Sequence, residues 1–357
     1  MTISEIFVLL KFFLGFLLLI KGSDYLINYA VLFASRFNLS PIFVGFTLVS
    51  VGTSLPELVV VVFSNISVSQ QEASRFVFST AFGSNIANTT LILGASLFLG
   101  SITLPKSFLS RDFLFTLVGT FLFYVVIFSW YDLPLQLQSN FSGESFFSWL
   151  KYQSWSSVSL SRIGAAVFLI LFFSYLFFLF YTGKLPKQEF EKEVEEHKPA
   201  ITLGKYSFLW LILSILAIGY GADWIVSGVI FISTSLFSID QKIVVVTVVA
   251  FGTSLPELLT SINAAKKKEH GILLGNIMGS NLFNVLVITS FPALIRPLYT
   301  EDAHFMGSFA IDAGFYLLFL LILLLICLFS RGVLFRKTAA VLLLLYFCYL
   351  FFILKTI

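Results

Sequence analysis

The chain has 357 residues, of which 58% are hydrophobic and only 11% are charged. Soluble domains usually carry roughly 25% charged residues, and a water-soluble fold of this length could not cover so much apolar surface. A soluble enzyme and a disordered chain are therefore disfavoured, and the net charge of +3 gives no basis for a nucleic-acid partner. The composition predicts an all-α polytopic membrane protein surrounded by the lipid bilayer.

Apolar stretches bounded by charged or turn-forming residues divide the chain into ten predicted transmembrane helices, each with the roughly 20 residues that a crossing needs. We predict helices at 4–33, 41–66, 75–100, 112–130, 163–181, 205–233, 241–265, 271–296, 307–329 and 334–354. Cys327 and Cys348 lie inside such stretches. Their spacing indicates neither a disulfide framework nor a metal site.

The connections between the predicted helices carry unequal numbers of basic residues. When the connections are assigned alternately to two sides, fourteen Lys and Arg fall on one side and six on the other. The positive-inside rule then predicts that both termini lie outside and that 182–204 is a solvated cytoplasmic linker. The external connection 131–162 is rich in aromatic residues, as is typical of a lid or interfacial helix. We expect a plasma-membrane or inner-membrane protein.

Three short motifs recur in the second half of the chain at a spacing of ~200 residues, in the same order, which indicates a duplicated unit. GSDYLI at 22–27 matches GADWIV at 221–226, GTSLPEL at 52–58 is repeated at 252–258, and GSNIAN at 83–88 matches GSNLFN at 279–284. We predict a first five-helix repeat at 1–181, the linker at 182–204 and a second five-helix repeat at 205–357. Because five is odd, the second repeat crosses the membrane in the opposite sense, as in secondary transporters with a site near the midplane.

Each GTSLPE motif places a glutamate inside an apolar helix: Glu57 in the second and Glu257 in the seventh. A carboxylate at this depth costs several kcal/mol and normally serves an ion or proton pathway. The neighbouring predicted helices contain no Lys or Arg at a matching depth that would pair with it. The two glutamates are therefore candidate ion ligands.

The residues before each glutamate supply further oxygen atoms. Pro56 has no N–H, so the carbonyl of Gly52 loses its helical partner, and freed carbonyls bind cations where they line a cavity. A threonine and a serine precede each glutamate by four and three residues and share its helix face. These candidate ligands are Thr53, Ser54, Thr253 and Ser254.

The GSN motifs add neutral oxygens, because each places a serine and an asparagine four residues apart on one helix face. The pairs are Ser84 with Asn88 and Ser280 with Asn284. Gly83 and Gly279 allow close helix approach. Carboxylate, amide and hydroxyl oxygens without histidine or thiol favour a hard cation over zinc or copper. Calcium, which takes about six to eight oxygens, fits this set, and sodium could share the same atoms.

The paired GTSLPE motifs, each followed by a GSN motif, resemble the sodium/calcium exchanger family of the cation/calcium exchanger superfamily, prokaryotic type. The resemblance covers both halves of the chain and implies ten helices in two inverted repeats, with ion sites between helices 2, 3, 7 and 8. It implies that Glu57 and Glu257 are calcium ligands, assisted by the carbonyls of Thr53 and Thr253. It further implies flanking sodium sites lined by Ser54, Ser84, Asn88, Thr253, Ser254, Ser280 and Asn284.

Two positions differ from the family pattern. Many relatives have a Gly-Asn pair before both GSN motifs, as at Gly275 and Asn276, but the first repeat has Ser79 and Thr80. Several relatives have an aspartate where Asn284 stands, which is associated with potassium use. The amide at this position therefore favours potassium independence.

The resemblance implies an electrogenic antiporter, not an enzyme, that exchanges sodium for calcium by alternating access. Both ions are transported substrates, and neither a cofactor nor an obligatory protein partner is implied. A proton/calcium exchanger and a potassium-dependent sodium/calcium exchanger are the alternatives. An intramembrane enzyme using the paired acids is a remote one, because no metalloprotease or nucleophile motif accompanies them. A passive channel is not distinguished by the sequence.

Overall fold

The computed structural model describes residues 3–105, 108–128, 157–182, 206–232 and 254–356, and helices dominate these ranges. In chain order the helices are α1 Ile3–Phe37, α2 Pro41–Ser67, α3 Gln70–Leu99, α4 Phe108–Ile127, α5 Arg162–Thr182, α6 Ser207–Phe231, α7 Leu255–Lys266, α8 His270–Ile295, α9 Ala303–Phe329 and α10 Arg336–Thr356. Nine helices in the described ranges are long and apolar enough to cross a membrane. The remaining one, α7, is the end of the helix predicted at 241–265. The all-α membrane architecture is confirmed.

Several helices begin earlier than predicted, and the cause is visible in α3 and α4. Helix α3 begins at Gln70 instead of 75, because Ser69 and Glu72 form a capping box in which each side chain accepts a hydrogen bond from the other residue's backbone N–H. Such a box satisfies N–H groups that a helix start leaves without partners. Helix α4 begins with a π-helical segment at Phe108–Phe113, four residues before the predicted start at 112.

π-helical segments also interrupt the helices that carry the repeated motifs. They lie at Gly45–Val49 in α2, Asn88–Ile92 in α3 and Asn284–Ile288 in α8. The segments in α3 and α8 occupy the same position after the two GSN motifs, so the repeat extends from sequence to local backbone geometry. Such single-turn segments often occur at functional sites.

Four short strands form two antiparallel pairs, and each pair links two of the connections between helices. β1 (Ile102–Thr103) pairs antiparallel with β4 (Val333–Leu334), and β2 (Val158–Leu160) pairs antiparallel with β3 (Leu298–Thr300). The first pair places the α3–α4 and α9–α10 connections at one end of the helices. The second pair joins the α4–α5 and α8–α9 connections. This grouping agrees with the alternation of sides predicted from the sequence. Residues 183–204 of the linker predicted at 182–204, and residues 131–156 of the connection predicted at 131–162, lie outside the described residues.

The first helices of the two repeats, α1 and α6, pack against each other at glycines. A Cβ atom added to Gly15 would lie 2.8 Å from the backbone oxygen of Gly221, and one added to Gly221 would lie 2.8 Å from that of Gly15. Contacts of this closeness are how small residues bring membrane helices together. At the end of α7, the Lys267 ammonium lies 2.6 Å from a carboxylate oxygen of Asp24 in α1. The paired α1 and α6 are thus attached to the motif-bearing helices.

Helix α8 is the most completely buried of the candidate spans. It crosses α2 with backbone against backbone, since a Cβ atom at Gly275 would lie 2.3 Å from the carbonyl oxygen of Ile42. The Gly-Asn position that the second repeat keeps therefore has a packing role here. In the first repeat, Ser79 is exposed and Thr80 is partly exposed, so the two repeats differ at this point.

A carboxyl group also lies inside the apolar stretch of α9, where the sequence interpretation did not single it out. The Tyr349 hydroxyl in α10 donates a hydrogen bond of 2.9 Å to Asp312. Replacement of Tyr349 by phenylalanine should lower the free energy of unfolding by roughly 1 kcal/mol. Interhelical hydrogen bonds in membranes average about 0.6 kcal/mol, and the carboxyl group that loses its donor adds a desolvation cost.

Unfolding of the detergent-purified protein in sodium dodecyl sulfate checks this expectation. Tyr346→Phe, one helical turn earlier in α10, is the matched control. We expect Tyr349→Phe to unfold at a lower detergent fraction than Tyr346→Phe. Equal midpoints for the two variants would contradict a stabilising role of the Asp312 contact.

Candidate ion-binding site

The two repeated glutamates are both buried within the helical bundle. Glu57 in α2 and Glu257 in α7 each expose only 2% of their surface. Helix α2 continues through Pro56 without a break. Proline is tolerated there at the cost of one backbone hydrogen bond. Pro256 lies in the first turn of α7, where proline removes no helical bond.

Each glutamate accepts a hydrogen bond from a serine of the repeated motifs. Ser84 in α3 donates to Glu57 with a distance of 2.8 Å between the oxygens. Ser54 in α2 donates to Glu257 at 2.9 Å. Ser54 precedes Glu57 by three residues on the same helix, yet its hydroxyl serves the carboxylate of the other repeat. Glu57 is therefore held by a serine of its own repeat, and Glu257 by a serine of the other repeat.

Two further serine contacts complete two sets of side chains with equivalent members. The Ser280 hydroxyl oxygen lies 3.2 Å from that of Ser54, and the Ser254 hydroxyl oxygen lies 3.5 Å from that of Ser84. One set thus joins Glu57, Ser84 and Ser254, and the other joins Glu257, Ser280 and Ser54. Repeat equivalence converts the members of one set into those of the other, but the direct donor differs: it is Ser84 for Glu57 and Ser54, not Ser280, for Glu257. We call them the first and second carboxylate–serine sets, named after Glu57 and Glu257 respectively.

The two predicted asparagine ligands are the first residues of the π-helical segments in α3 and α8. Asn88 and Asn284 are 1% and 0% exposed. Within the described part of the chain, neither polar atom of the Asn88 side-chain amide has a hydrogen-bond partner. The side-chain oxygen of Asn284 also has none. Buried polar atoms without partners are costly. A cation satisfies such oxygen atoms.

The threonine of the first GTSLPE motif, Thr53, is placed differently from the serines. The Thr53 hydroxyl lies 3.2 Å from the Ser50 carbonyl oxygen and 3.4 Å from the Asn276 side-chain oxygen. These contacts lie between α2 and α8, and the Thr53 hydroxyl also interacts with the Glu257 carboxylate. The backbone carbonyl remains the predicted ligand atom. Thr253 lies outside the described residues. Asn276 in turn donates to Ser261 in α7 at 3.0 Å.

Sequence reasoning missed the asparagine at the third position of each GSN motif. Asn85 and Asn281 are fully buried, and they connect α3 to α8. The Asn85 amide donates to the backbone oxygen of Asn281 at 3.0 Å, and the Asn281 amide donates to the Thr89 hydroxyl at 2.9 Å. Their recurrence in both motifs was the available signal. Serine and asparagine four residues apart share a face, whereas this position faces the partner helix.

The site therefore contains two buried carboxylates, four serine hydroxyls and two amides, contributed by α2, α3, α8 and the α7 segment with Ser254. In the described residues no group of three or more His, Cys, Asp or Glu side chains is suited to hold a metal ion. The carboxylates are accompanied by neutral oxygens, which suits hard cations. Two equivalent halves related by inverted repeats are typical of secondary transporters.

Comparison with known proteins identifies the class to which this arrangement belongs. The family model of the sodium/calcium exchanger protein matches residues 7–181 and 206–355, and the chain belongs to this family. It is an integral membrane transporter of the cation/calcium exchange class and not an enzyme. The ten-helix fold with two inverted repeats fits the family, and the ions are transported substrates rather than cofactors.

Particular relatives and a solved structure support the assignment. The chain is 30% identical over 297 residues to the sodium/calcium exchanger MaX1 of Methanosarcina acetivorans, covering 81% of this chain and 83% of that protein. It is 29% identical over 287 residues to the inner membrane protein YrbG of Escherichia coli, covering 79% and 78%. The structure of the sodium-calcium exchanger NCX_Mj soaked with sodium and calcium ions superimposes with a TM-score of 0.73 at 26% identity, covering 98% of both chains.

Proposed function

We propose that this protein exchanges sodium ions for calcium ions across the membrane and that Glu57 and Glu257 bind the calcium ion. The observation that carries the proposal is the burial of two carboxylates from opposite repeats, each held by a serine hydroxyl of a repeated motif. Two carboxylates neutralise one divalent cation, and their charges become less costly in the membrane interior when the ion is present.

The neutral oxygens around the carboxylates suit sodium. Sodium carries one charge, so serine and asparagine oxygens can complete its coordination without further acids. We assign this role to Ser54, Ser84, Asn88, Ser254, Ser280 and Asn284, together with Thr253. The backbone carbonyls of Thr53 and Thr253 complete the calcium site. The two cations then compete for one region, as an exchanger requires.

Alternating access follows from the energetics of the empty site. With ions bound, the glutamate charges are neutralised. The ion-loaded protein can then switch the side of the membrane to which its site is open. Without ions, the carboxylates would have to pass through a dry state at a cost of several kcal/mol. The cycle is therefore restricted to ion-loaded forms, and passive leakage through a channel is suppressed.

The amide of Asn284 favours coupling that needs no potassium ion. An exchange of three sodium ions for one calcium ion, which the family resemblance implies, moves one net charge per cycle. The membrane potential then contributes about 2.3 kcal/mol per 100 mV. The transport is accordingly electrogenic.

We further propose that 1–181 and 205–357 are the two repeats, joined by the cytoplasmic linker 182–204, with both termini outside. The unequal distribution of basic residues supports this orientation. The name of the Escherichia coli relative, an inner membrane protein, supports placement in the plasma or inner membrane. Calcium ions, sodium ions and the lipid bilayer are the expected partners.

Calcium flux in proteoliposomes tests the coupling. Sodium, proton and potassium gradients are imposed separately while valinomycin clamps the membrane potential in the first two cases. We expect calcium uptake when sodium is loaded inside, with faster uptake at an interior-positive potential because sodium exit removes positive charge. Uptake driven by a proton gradient without sodium would instead support a proton/calcium exchanger, and a requirement for potassium would support the potassium-dependent class. Flux that is not saturable and needs no counter-ion would identify a channel.

A further inference from the structure

The Asn284 side chain is held in one orientation by a second asparagine. Its amide nitrogen donates a hydrogen bond of 3.0 Å to the side-chain oxygen of Asn85. Both side chains are completely buried. Because the nitrogen is engaged, the Asn284 oxygen is directed away from Asn85, and this oxygen has no protein partner in the described part of the chain. The contact thus presents a carbonyl oxygen, the atom that a cation binds.

Asn85 is itself fixed from a second direction. Its own amide nitrogen donates to the backbone oxygen of Asn281 at 3.0 Å, and the Tyr316 hydroxyl of α9 lies beside it. A reversal of the Asn85 amide would turn its oxygen towards the Asn281 oxygen and its N–H groups towards the Asn284 amide nitrogen. Both contacts would become repulsive, so the orientation of Asn85 determines that of Asn284.

The first repeat lacks this arrangement, although it has both asparagines. By repeat equivalence Asn281 should support Asn88 as Asn85 supports Asn284. Instead, the Asn281 nitrogen donates to the Thr89 hydroxyl, and the Asn281 side-chain oxygen, like both polar atoms of the Asn88 amide, has no partner among the described residues. The residue equivalent to Thr89 in the second repeat is Val285, which has no hydroxyl. The Thr89 hydroxyl thus holds the Asn281 amide in an orientation in which its oxygen does not meet Asn88, and Val285 offers no such contact to Asn85.

We propose that Asn85 is a positioning residue that aims the Asn284 oxygen into a sodium site and so makes the two sides of the ion-binding region unequal. The proposal rests on the function proposed above. It assigns to Asn85 no direct contact with an ion. Residues that orient a metal ligand commonly change affinity by about tenfold or more when they are replaced, and that is the size of effect expected here.

The test measures the sodium concentration that gives half-maximal sodium-driven calcium flux. Asn284→Ala should raise it, and Asn85→Leu should raise it by about tenfold while its maximal rate stays within about twofold. In the double variant, Asn85→Leu should add nothing further, because the side chain through which it acts is already gone. Asn85→Leu combined with Asn88→Ala is the matched control, and its two effects should add.

Val285→Thr provides the same test with a smaller change. By repeat equivalence, the introduced hydroxyl should accept a hydrogen bond from the Asn85 amide, as the Thr89 hydroxyl does from Asn281. Asn85 would then turn away from Asn284, and the half-maximal sodium concentration should rise as in Asn85→Leu. This variant decides the question if Asn85→Leu does not fold.

Additive effects of Asn85→Leu and Asn284→Ala, or a loss of maximal rate without a change in sodium dependence, would overturn the positioning role. An unchanged sodium dependence in Asn284→Ala would overturn the ligand assignment itself. Failure of the proposed function and failure of this inference are therefore distinguishable.

Discussion

Replacement of Glu57 or Glu257 by glutamine should abolish sodium-driven calcium flux. Glutamine keeps the length of the side chain and an oxygen that accepts the serine hydrogen bonds of 2.8 Å and 2.9 Å, so the shape of the site is retained. One negative charge is lost, and a bound calcium ion is left with an uncompensated charge in the membrane interior. A cost of at least ~3 kcal/mol corresponds to more than a hundredfold loss of calcium affinity.

Initial rates of calcium uptake in sodium-loaded proteoliposomes measure this effect, at matched protein density. Glu72→Gln is the control, because Glu72 is exposed at the start of α3 and glutamine also fits a capping box. It should transport at the rate of the unaltered protein. Undiminished flux in either buried variant would remove that glutamate from the calcium site.

Replacement of Gly279 by alanine is expected to have the second-largest effect, because it separates α8 from α2 at the site. A Cβ atom there would lie 2.6 Å from both the Phe46 carbonyl oxygen and the Ser50 hydroxyl oxygen. Ser50 also donates a hydrogen bond to Phe46, so neither atom can easily yield. Overpacking of this kind costs roughly 1–3 kcal/mol. The shift would also move Ser280, the next residue, away from Ser54.

We therefore expect Gly279→Ala to lower both stability in detergent and calcium flux, the flux by about tenfold or more. Gly314→Ala is the control, since a Cβ atom at this exposed α9 position meets no atom of the described residues within 4 Å. Equal stability and flux for the two variants would show that the α2–α8 distance is not critical. At Gly83, a Cβ atom would meet no atom of the described residues within 4 Å, and the residues equivalent to Phe46 and Ser50 lie outside the described residues.

The membrane spans could be predicted from the sequence because the bilayer imposes a simple rule on apolar length. Their starts were less predictable, since they depend on individual contacts rather than on apolar length. The capping box at Ser69 and Glu72 begins α3 among polar residues, and a π-helical segment begins α4. Neither feature alters the length of the apolar stretch that follows it.

The chemistry of the site could be predicted from repeated motifs, but its partners could not. Helical spacing correctly places Ser54 on the helix face of Glu57, yet it gives no information about the opposite helix. The Ser54 hydroxyl contacts Glu257 instead. Contacts between α2 and α7, or between Asn85 and Asn284, depend on how the two repeats pack together, and spacing within one helix contains no such information.

The two glutamates also differ in whether the serine that donates to them is synthesised before or after them. Ser84 follows Glu57 by 27 residues and lies on the next helix, so Glu57 gains its donor as soon as one helical hairpin has entered the membrane. Glu257 is separated from Ser54 by 203 residues, but its donor is synthesised first. Because chains are made from the N-terminus, each acid can meet its serine soon after its own insertion. The first half of the chain thus already contains the hydrogen-bond donor for the buried carboxylate of the second half.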